Sequence, residues 1–167
     1  GQGLSWRVHV LPFLEQNELY ERFHLDEPWD SPHNKTLIAE MPELFASPAS
    51  IGLQPPGHTN YLRPTGNGAI ATPDGQGITF NSITDGSSNT ILMLEVDPSE
   101  SVPWTKPADY VFDPEDPMRG LGGIYSGNTF GAGFCDGAVH TLNSDPGMEE
   151  NIKAMMTKGG NEKVLNY

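Results

Sequence analysis

The sequence predicts an α+β fold in which helices precede and follow a mainly antiparallel sheet. Apolar residues recur at helical spacing near the amino-terminal end, and strand-like patterns replace them between residues 59 and 143. Near the carboxyl-terminal end, Asp136-Gly137 joins two strand-like runs, which is a strong signature of a β-hairpin. Because the helices lie at the two ends and do not alternate with the strands, the pattern favours α+β over α/β.

The first predicted helical segment is Ser5 to Phe23, which Pro12 is expected to kink or to split in two. Ser31-Pro32 provides an N-cap followed by proline at the first helical position, so a second helix is predicted from there to about Pro42. That helix should turn three apolar side chains inward, those of Leu37, Ile38 and Met41.

Three strands are predicted in the middle of the chain, at Thr59 to Arg63, Gly77 to Phe80 and Asn89 to Val96. The nearly continuous apolar run from Ile91 to Leu94 should form the central strand. The segment from Asp97 to Gly123 shows no period, and we expect aromatic side chains, not backbone ladders, to hold it. These aromatic residues are Trp104, Tyr110 and Phe112.

The predicted hairpin pairs Thr129 to Cys135 with Ala138 to Leu142, and a two-residue turn of this kind needs positive φ at both central positions. A last helix should begin at Pro146 with Asp145 as its cap, and end at Lys158 before two glycines. The inward-facing residues of this helix are expected to be Ile152 and Met155.

The length of 167 residues suits one globular domain. Its helical part is expected at about 5–42, its sheet and loops at about 59–143, and its carboxyl-terminal helix at about 146–158. The 22 acidic residues outnumber the 9 Lys and Arg, which gives a net charge of −13 and argues against binding to nucleic acid or to an anionic membrane surface. No apolar run approaches the roughly 20 residues of a membrane-spanning helix.

Motifs for catalysis are absent from the sequence: it contains no G-x-S-x-G elbow, no P-loop and no G-x-G-x-x-G fingerprint. Cys135 is the only cysteine and is read as a small buried hydrophobic residue. His24 and His33 form the densest histidine group, but they lack the spacing of a metal site. The one candidate for a cofactor is Ca²⁺, held by the oxygens of the acidic loop residues Asp113, Glu115 and Asp116.

Several phrases in a fixed order resemble one family, the planctomycete domain of unknown function 1559. The resemblance runs from about Leu4 to Gly160. It is carried by SWRV with LPFLEQ near the start, EPWDSPHNK at 27–35, ITDGSSNTI at 83–91, VPWTKP at 102–107 and FCDGAV at 134–139.

Members of that family typically begin with a prepilin-type signal and a long hydrophobic helix. The resemblance therefore implies a pilin-like head whose spine helix is absent from this chain, with the full-length protein anchored in a membrane. It implies export to the periplasm or the cell surface, and partners among other pilin-like subunits or the secretion machinery.

Two positions depart from the family pattern. The Asp136-Gly137 pair is kept, but Ser126 stands where the family has a His separated from this pair by nine residues, so any role of that His is lost here. Ser47 stands where the family often has a Cys before Pro, which removes one disulfide partner.

Three functions remain open at this point. The first is a non-enzymatic pilin-like or pseudopilin-like subunit of a surface or secretion filament. The second is an extracytoplasmic module that binds a solute or a polysaccharide, with Trp104 and Tyr110 as binding aromatics in a pocket formed by residues 97–123. The third is a hydrolase that uses two carboxylates facing one cleft.

Overall fold

The computed structural model describes residues 3–66, 68–72, 78–160 and 164. Helices and mainly antiparallel strands are segregated along the chain, so the predicted α+β class is confirmed. The contacts separate two units, the described parts of Gly1–Thr59 with Ser101–Ala108 and of Asn60–Glu100 with Asp109–Tyr167. We call the first the helical unit and the second the sheet unit.

Three α-helices are present among the described residues: α1 (Trp6–His9), α2 (Asn17–Glu21) and α3 (Glu149–Met156). The strands in chain order are β1 (His58–Thr59), β2 (Tyr61–Leu62), β3 (Pro64–Thr65), β4 (Ile91–Glu95), β5 (Val102–Pro103), β6 (Tyr110–Val111), β7 (Thr129–Phe134) and β8 (Val139–Asn143). Short 3₁₀ helices cover Leu11–Leu14, Asn34–Glu40, Glu43–Phe45, Pro48–Ser50, Phe80–Ser82 and Pro98–Glu100.

The helical unit is built around Trp104, which is fully buried. Its ring meets Phe23 edge-on at 5.7 Å between centroids and stacks on Phe45 at 5.8 Å. The rest of this core is aliphatic: Leu4, Val8, Leu11, Leu19 and Leu37. The antiparallel pair β1 and β5 brings the chain segment that carries Trp104 into the unit.

The predicted amino-terminal helices are shorter than expected. Pro12 does interrupt the first one, which becomes α1, a 3₁₀ turn and α2, and Glu15 between the last two has φ 60°. The predicted second helix is the 3₁₀ helix Asn34–Glu40. The expected cap is wrong, because the N-cap residue is His33, which makes no side-chain capping hydrogen bond, and the helix begins two residues after Pro32. Ser31 Oγ instead accepts a hydrogen bond from Asn34 N at 3.0 Å in the turn that leads into the helix.

The sheet unit contains a four-stranded antiparallel sheet in the order β2-β4-β7-β8. The predicted central strand is therefore confirmed, because β4 lies between β2 and β7. One face of β7 is buried through Phe130, Ala132 and Phe134, while the alternate residues are half-buried. A separate parallel pair, β3 with β6, belongs to the same unit.

Two sequence-based strand predictions were wrong. Thr59–Arg63 is not one strand but is divided among β1, β2 and the turn to β3, which pair with different partners. Of the predicted strand Gly77–Phe80, Gly77 lies outside the described residues and Phe80 begins a 3₁₀ helix. The segment 97–123 does bury its three aromatics, but contrary to expectation it also forms the β5 and β6 ladders.

The hairpin exists at the predicted place with a different turn. Phe134 O accepts from Gly137 N at 3.0 Å and Phe134 N donates to Ala138 O at 2.8 Å, so three residues form the loop. Of the three loop residues, only Gly137 has positive φ, at 89°. The loop is thus a turn followed by a left-handed glycine, a geometry that spares Asp136 the strained conformation.

The last helix begins later than predicted, at Glu149, and Asp145 is not its cap. Gly147 has φ 101°, which prevents a helix from running through it, and Asp145 instead accepts hydrogen bonds from Asn128 and Asn143. The helix still buries Ile152 and Met155 as expected.

Candidate binding groove on the open sheet face

An open groove of about 660 Å³ lies on the sheet unit. Its lining comes from β2, β4, β7 and β8 together with Tyr125 and Ser126, which precede β7. The β7 residues that alternate with the buried ones, Thr129, Gly131 and Gly133, all line it. The groove therefore occupies the sheet face opposite the buried side chains of β7.

The floor of the groove is low because β7 carries glycine at two successive outward positions. Gly131 pairs with Thr141 of β8 and Gly133 pairs with Val139. Val139 is 77% exposed and stands at the rim. Larger residues in place of the glycines would fill the concave surface, so the sequence of β7 creates the groove directly.

Glu95 is the acidic group of the groove and is only 5% exposed. The phenol of Tyr125 donates a hydrogen bond to Glu95 Oε1 at 3.2 Å. The other carboxylate oxygen lies over Gly131, where a Cβ atom would stand 2.8 Å from Oε2. Glycine at this position thus makes room for the carboxylate.

The groove carries one acidic side chain in its described lining, and the rest of that lining is mainly apolar and aromatic. Among the described residues that line it, Glu95 is the only acidic side chain and none is Lys or Arg. Tyr61, the register partner of Glu95, and Met93 contribute the remaining large side chains of β2 and β4. The ring of His140, the register partner of Ala132, lies on the opposite face of the sheet, where it meets Phe134 edge-on at 5.3 Å.

A second, smaller pocket of about 140 Å³ is almost wholly apolar and contains Cys135. Exposed Phe80 and Leu92 lie at this pocket as well. Burial, and secondarily the charge of Asp136, raises the pKa of the Cys135 thiol. The thiol is therefore held in its neutral form, which is the less nucleophilic one.

A family model described as "Protein of unknown function (DUF1559)" matches residues 1–162. The chain belongs to this family. The resemblance found in the sequence is confirmed at that level, and DUF1559 membership covers both the helical unit and the sheet unit. No curated protein and no solved structure matches the chain.

In this DUF1559 member, the two aromatics predicted to bind ligand do not reach the surface. Trp104 is fully buried in the helical unit, and its Nε1 donates to Ile38 O at 3.1 Å. Tyr110 is 2% exposed in the sheet unit, and its hydroxyl donates to Arg119 O at 2.9 Å. The prediction that they bind ligand is corrected, because both are core residues with satisfied polar atoms.

The acidic loop predicted to bind Ca²⁺ forms a local turn. Asp113 Oδ1 accepts from Glu115 N at 2.9 Å, and Asp113 O accepts from Asp116 N at 3.1 Å. Within the described part of the chain, no three His, Cys, Asp or Glu side chains are grouped to hold a metal ion. The rings of His24 and His33 stack at 3.6 Å, with His24 Nδ1 2.9 Å from Glu27 Oε1.

The three positions of the predicted structural motif fall at two separate places. Asp136 and Gly137 form the hairpin loop, where Asp136 Oδ1 accepts from Ala138 N at 2.9 Å. Ser126 is exposed and lines the groove. In this DUF1559 member, Ser126 therefore places a small hydroxyl group at the groove wall.

The groove residues Glu95, Tyr125 and Gly131 were missed by the sequence analysis. A signal was present in β7, where Phe-Gly-Ala-Gly-Phe alternates larger residues with glycine and so leaves one strand face bare. The pairing of Tyr125 with Glu95 joins residues 30 positions apart and has no local pattern. Separately, none of the helices among the described residues has the length and apolar character needed to cross a bilayer.

Proposed function

We propose that this chain is the head of an exported pilin-like or pseudopilin-like subunit that works through assembly and not through catalysis. The observation that carries the proposal is the DUF1559 match over residues 1–162. Resemblance to this family implies a prepilin-type helix, export and display of the head. The expected partners are other pilin-like subunits or components of a secretion machine.

The fold is compatible with such a head. Helices precede and follow an antiparallel sheet whose last two strands are joined by the Asp136-Gly137 hairpin. The net charge of −13 suits a surface that faces water on the outside of a cell, since strong net charge maintains solubility. The raised pKa of the Cys135 thiol is unfavourable for a thiol nucleophile.

Exposed apolar side chains of the helical unit offer candidate contacts between subunits. Phe13 is 85% exposed, Ile51 75% and Leu53 63%. Side chains of this size gain free energy when a neighbouring molecule covers them. Phe13, the most exposed of these side chains, is the subunit contact that we propose to test.

The test is localisation and processing of the complete gene product in its own cells. We expect the protein in the fraction sheared from the cell surface, with a retained amino-terminal apolar helix that mass spectrometry identifies after prepilin-type cleavage. Phe13→Ser should reduce the sheared fraction and leave the folded protein intact. Phe80→Ser is the matched control, because Phe80 is 74% exposed in the sheet unit. A gene that encodes a fully removed signal peptide and no retained helix would refute the proposal.

A second candidate function, a binding module, is favoured by the groove. Two tyrosines and a carboxylate line one concave surface of about 660 Å³, within the size range of small-molecule sites. The location differs from the expected one, because the lining comes from the sheet and from Tyr125 and Ser126, not from residues 97–123. The carboxylate-pair hydrolase gains no comparable support from this groove, whose described lining contains one acid, Glu95.

A further inference from the structure

We propose that the groove of the sheet unit binds a small organic cation, an alkylammonium group with a short apolar body, whose nitrogen meets the Glu95 carboxylate. This inference rests on the second candidate function, ligand binding, and is independent of filament assembly.

The first argument is the position of the carboxylate. Glu95 is 5% exposed, yet it lines a groove that is open to water. Oε1 accepts a hydrogen bond from Tyr125, and Oε2 lies above Gly131 at the floor. A carboxylate with little access to solvent interacts more strongly with a cation than an exposed one does, because water screens the pair less.

The second argument is the aromatic surround. Tyr61 and Tyr125 both line the groove in which Glu95 lies. Their ring faces carry negative electrostatic potential, which attracts ammonium groups and offers little to an anion. Together with the carboxylate, the rings favour a positively charged ligand over a neutral one.

The third argument concerns the apolar part of the ligand. Met93 and Val139 line the same groove, and Gly133 of β7, which pairs with both, leaves the space between them open. A short alkyl chain placed there would remove apolar surface from water. A volume of about 660 Å³ accepts a chain of several carbon atoms together with the ammonium head.

The net charge of the protein also favours a cationic ligand. The net charge is −13, and none of the described residues that line the groove is Lys or Arg. A concave surface of one charge sign concentrates ligands of the opposite sign. Anionic ligands are disfavoured for the same reason.

The test is calorimetric titration of the 167-residue chain with n-hexylammonium. Hexan-1-ol and hexanoate serve as neutral and anionic ligands with the same chain length. We expect hexylammonium to bind at least about tenfold more tightly than hexan-1-ol, as a charge-assisted hydrogen bond predicts. Hexanoate should give no heat. Amide resonances of Gly131 and Gly133 should shift in the nuclear magnetic resonance spectrum on titration with the amine.

Two variants, Glu95→Gln and Gly131→Ala, test the role of the carboxylate, and Glu115→Gln is their control. Glu95→Gln keeps the shape and should bring the affinity for hexylammonium down to that for hexan-1-ol. Glu115→Gln removes the same charge from an exposed loop and should change the affinity by less than about twofold. Gly131→Ala, whose methyl group displaces Oε2, should abolish the preference without removing the charge. It provides an independent measurement should Glu95→Gln fail to fold.

Three results would overturn the inference: equal binding of amine and alcohol, full affinity in a folded Glu95→Gln or Gly131→Ala variant, or no heat and no shift with hexylammonium. Binding of a neutral oligosaccharide such as cellobiose, without any binding of the amine, would refute a cationic ligand. It would still support the second candidate function, a binding module. None of these results affects the assembly assay with Phe13, so the proposals fail separately.

Discussion

The indole Nε1 of Trp104 donates a hydrogen bond of 3.1 Å to the carbonyl oxygen of Ile38, 66 residues earlier in the chain. The backbone N of the same tryptophan donates to Gly57 O at 3.0 Å. Gly57 in turn packs against Ile38 so closely that a Cβ atom there would overlap the Ile38 carbonyl oxygen and Cγ2. Three distant segments of the helical unit thus meet at one point.

Gly57→Ala should therefore destabilise the folded protein much more than Gly52→Ala does. Both glycines have positive φ, at 72° and 79°, so alanine is strained at either position. Gly52 has open space around it, and the strain alone should cost about 1–2 kcal/mol. Gly57→Ala adds the overlap with Ile38 and should lower the free energy of unfolding by about 3 kcal/mol or more. Urea titrations measure both, and equal losses would contradict the assigned role of the close contact.

Asn34→Ala should destabilise the helical unit by about 2–4 kcal/mol, because the variant leaves several buried backbone groups without partners. Asn34 is fully buried, its Oδ1 accepts from His24 N at 3.0 Å, and its Nδ2 donates to His24 O at 2.9 Å and Pro28 O at 3.1 Å. Lys35→Ala, at the exposed neighbouring position, is the control. Thermal unfolding of the two variants gives the comparison, and similar midpoints would argue against this network.

Stability should fall as the pH rises between about 10 and 12, because burial raises the pKa of Tyr110 to about 12. Deprotonation is easier in the unfolded chain, so the stabilisation is complete below the unfolded pKa and is lost as pH rises through the folded one. Tyr110→Phe should lower stability near neutral pH by about 1 kcal/mol, since it removes the hydrogen bond to Arg119 O.

The same variant should weaken the alkaline dependence of stability. Free energies of unfolding measured from pH 8 to 12 in both proteins provide the test, with absorbance of ionised tyrosine recorded in parallel. A Tyr110→Phe variant with the full alkaline loss would show that another group titrates.

Asp145 should contribute to acid sensitivity. Hydrogen bonds from Asn128 Nδ2 and Asn143 Nδ2, each 2.8 Å, hold the pKa of its carboxyl below the ordinary value. The contribution is present above the unfolded pKa of about 4 and disappears as the pH falls through the lowered value. Asp145→Asn should reduce the slope of stability against pH from 6 to 2. Asp116→Asn removes one charge elsewhere, and an equal effect there would point to net charge instead.

Local patterns predicted the parts of the fold that depend on local chemistry. Pro12 interrupts the first helix because it lacks an N–H. The nearly continuous apolar run at Ile91 is itself the local signal for a buried strand, and β4 is an inner strand of the sheet. The Asp136-Gly137 hairpin follows from the turn preference of glycine. These features need no information from distant residues.

The sequence-based predictions of binding residues were wrong where contacts with distant residues determine whether a side chain is buried. Trp104 and Tyr110 lie in a segment without periodicity, and nothing local distinguishes a buried aromatic from an exposed one there. Their burial depends on partners such as Ile38 and Arg119. The groove was missed for the same reason, because the Glu95 carboxylate is placed by Tyr125 and by the absence of a side chain at Gly131.

The position of Trp104 in the chain also constrains the order of folding during synthesis. Residues 3–59 of the helical unit leave the ribosome well before residues 101–108, which supply the centre of its core. Until then Phe23 and Phe45 lack the ring against which they pack. At the usual rate of about 5–20 residues per second, this interval lasts several seconds. During it the nascent helical segment exposes apolar surface, which makes it a substrate for chaperones that bind unfolded chains.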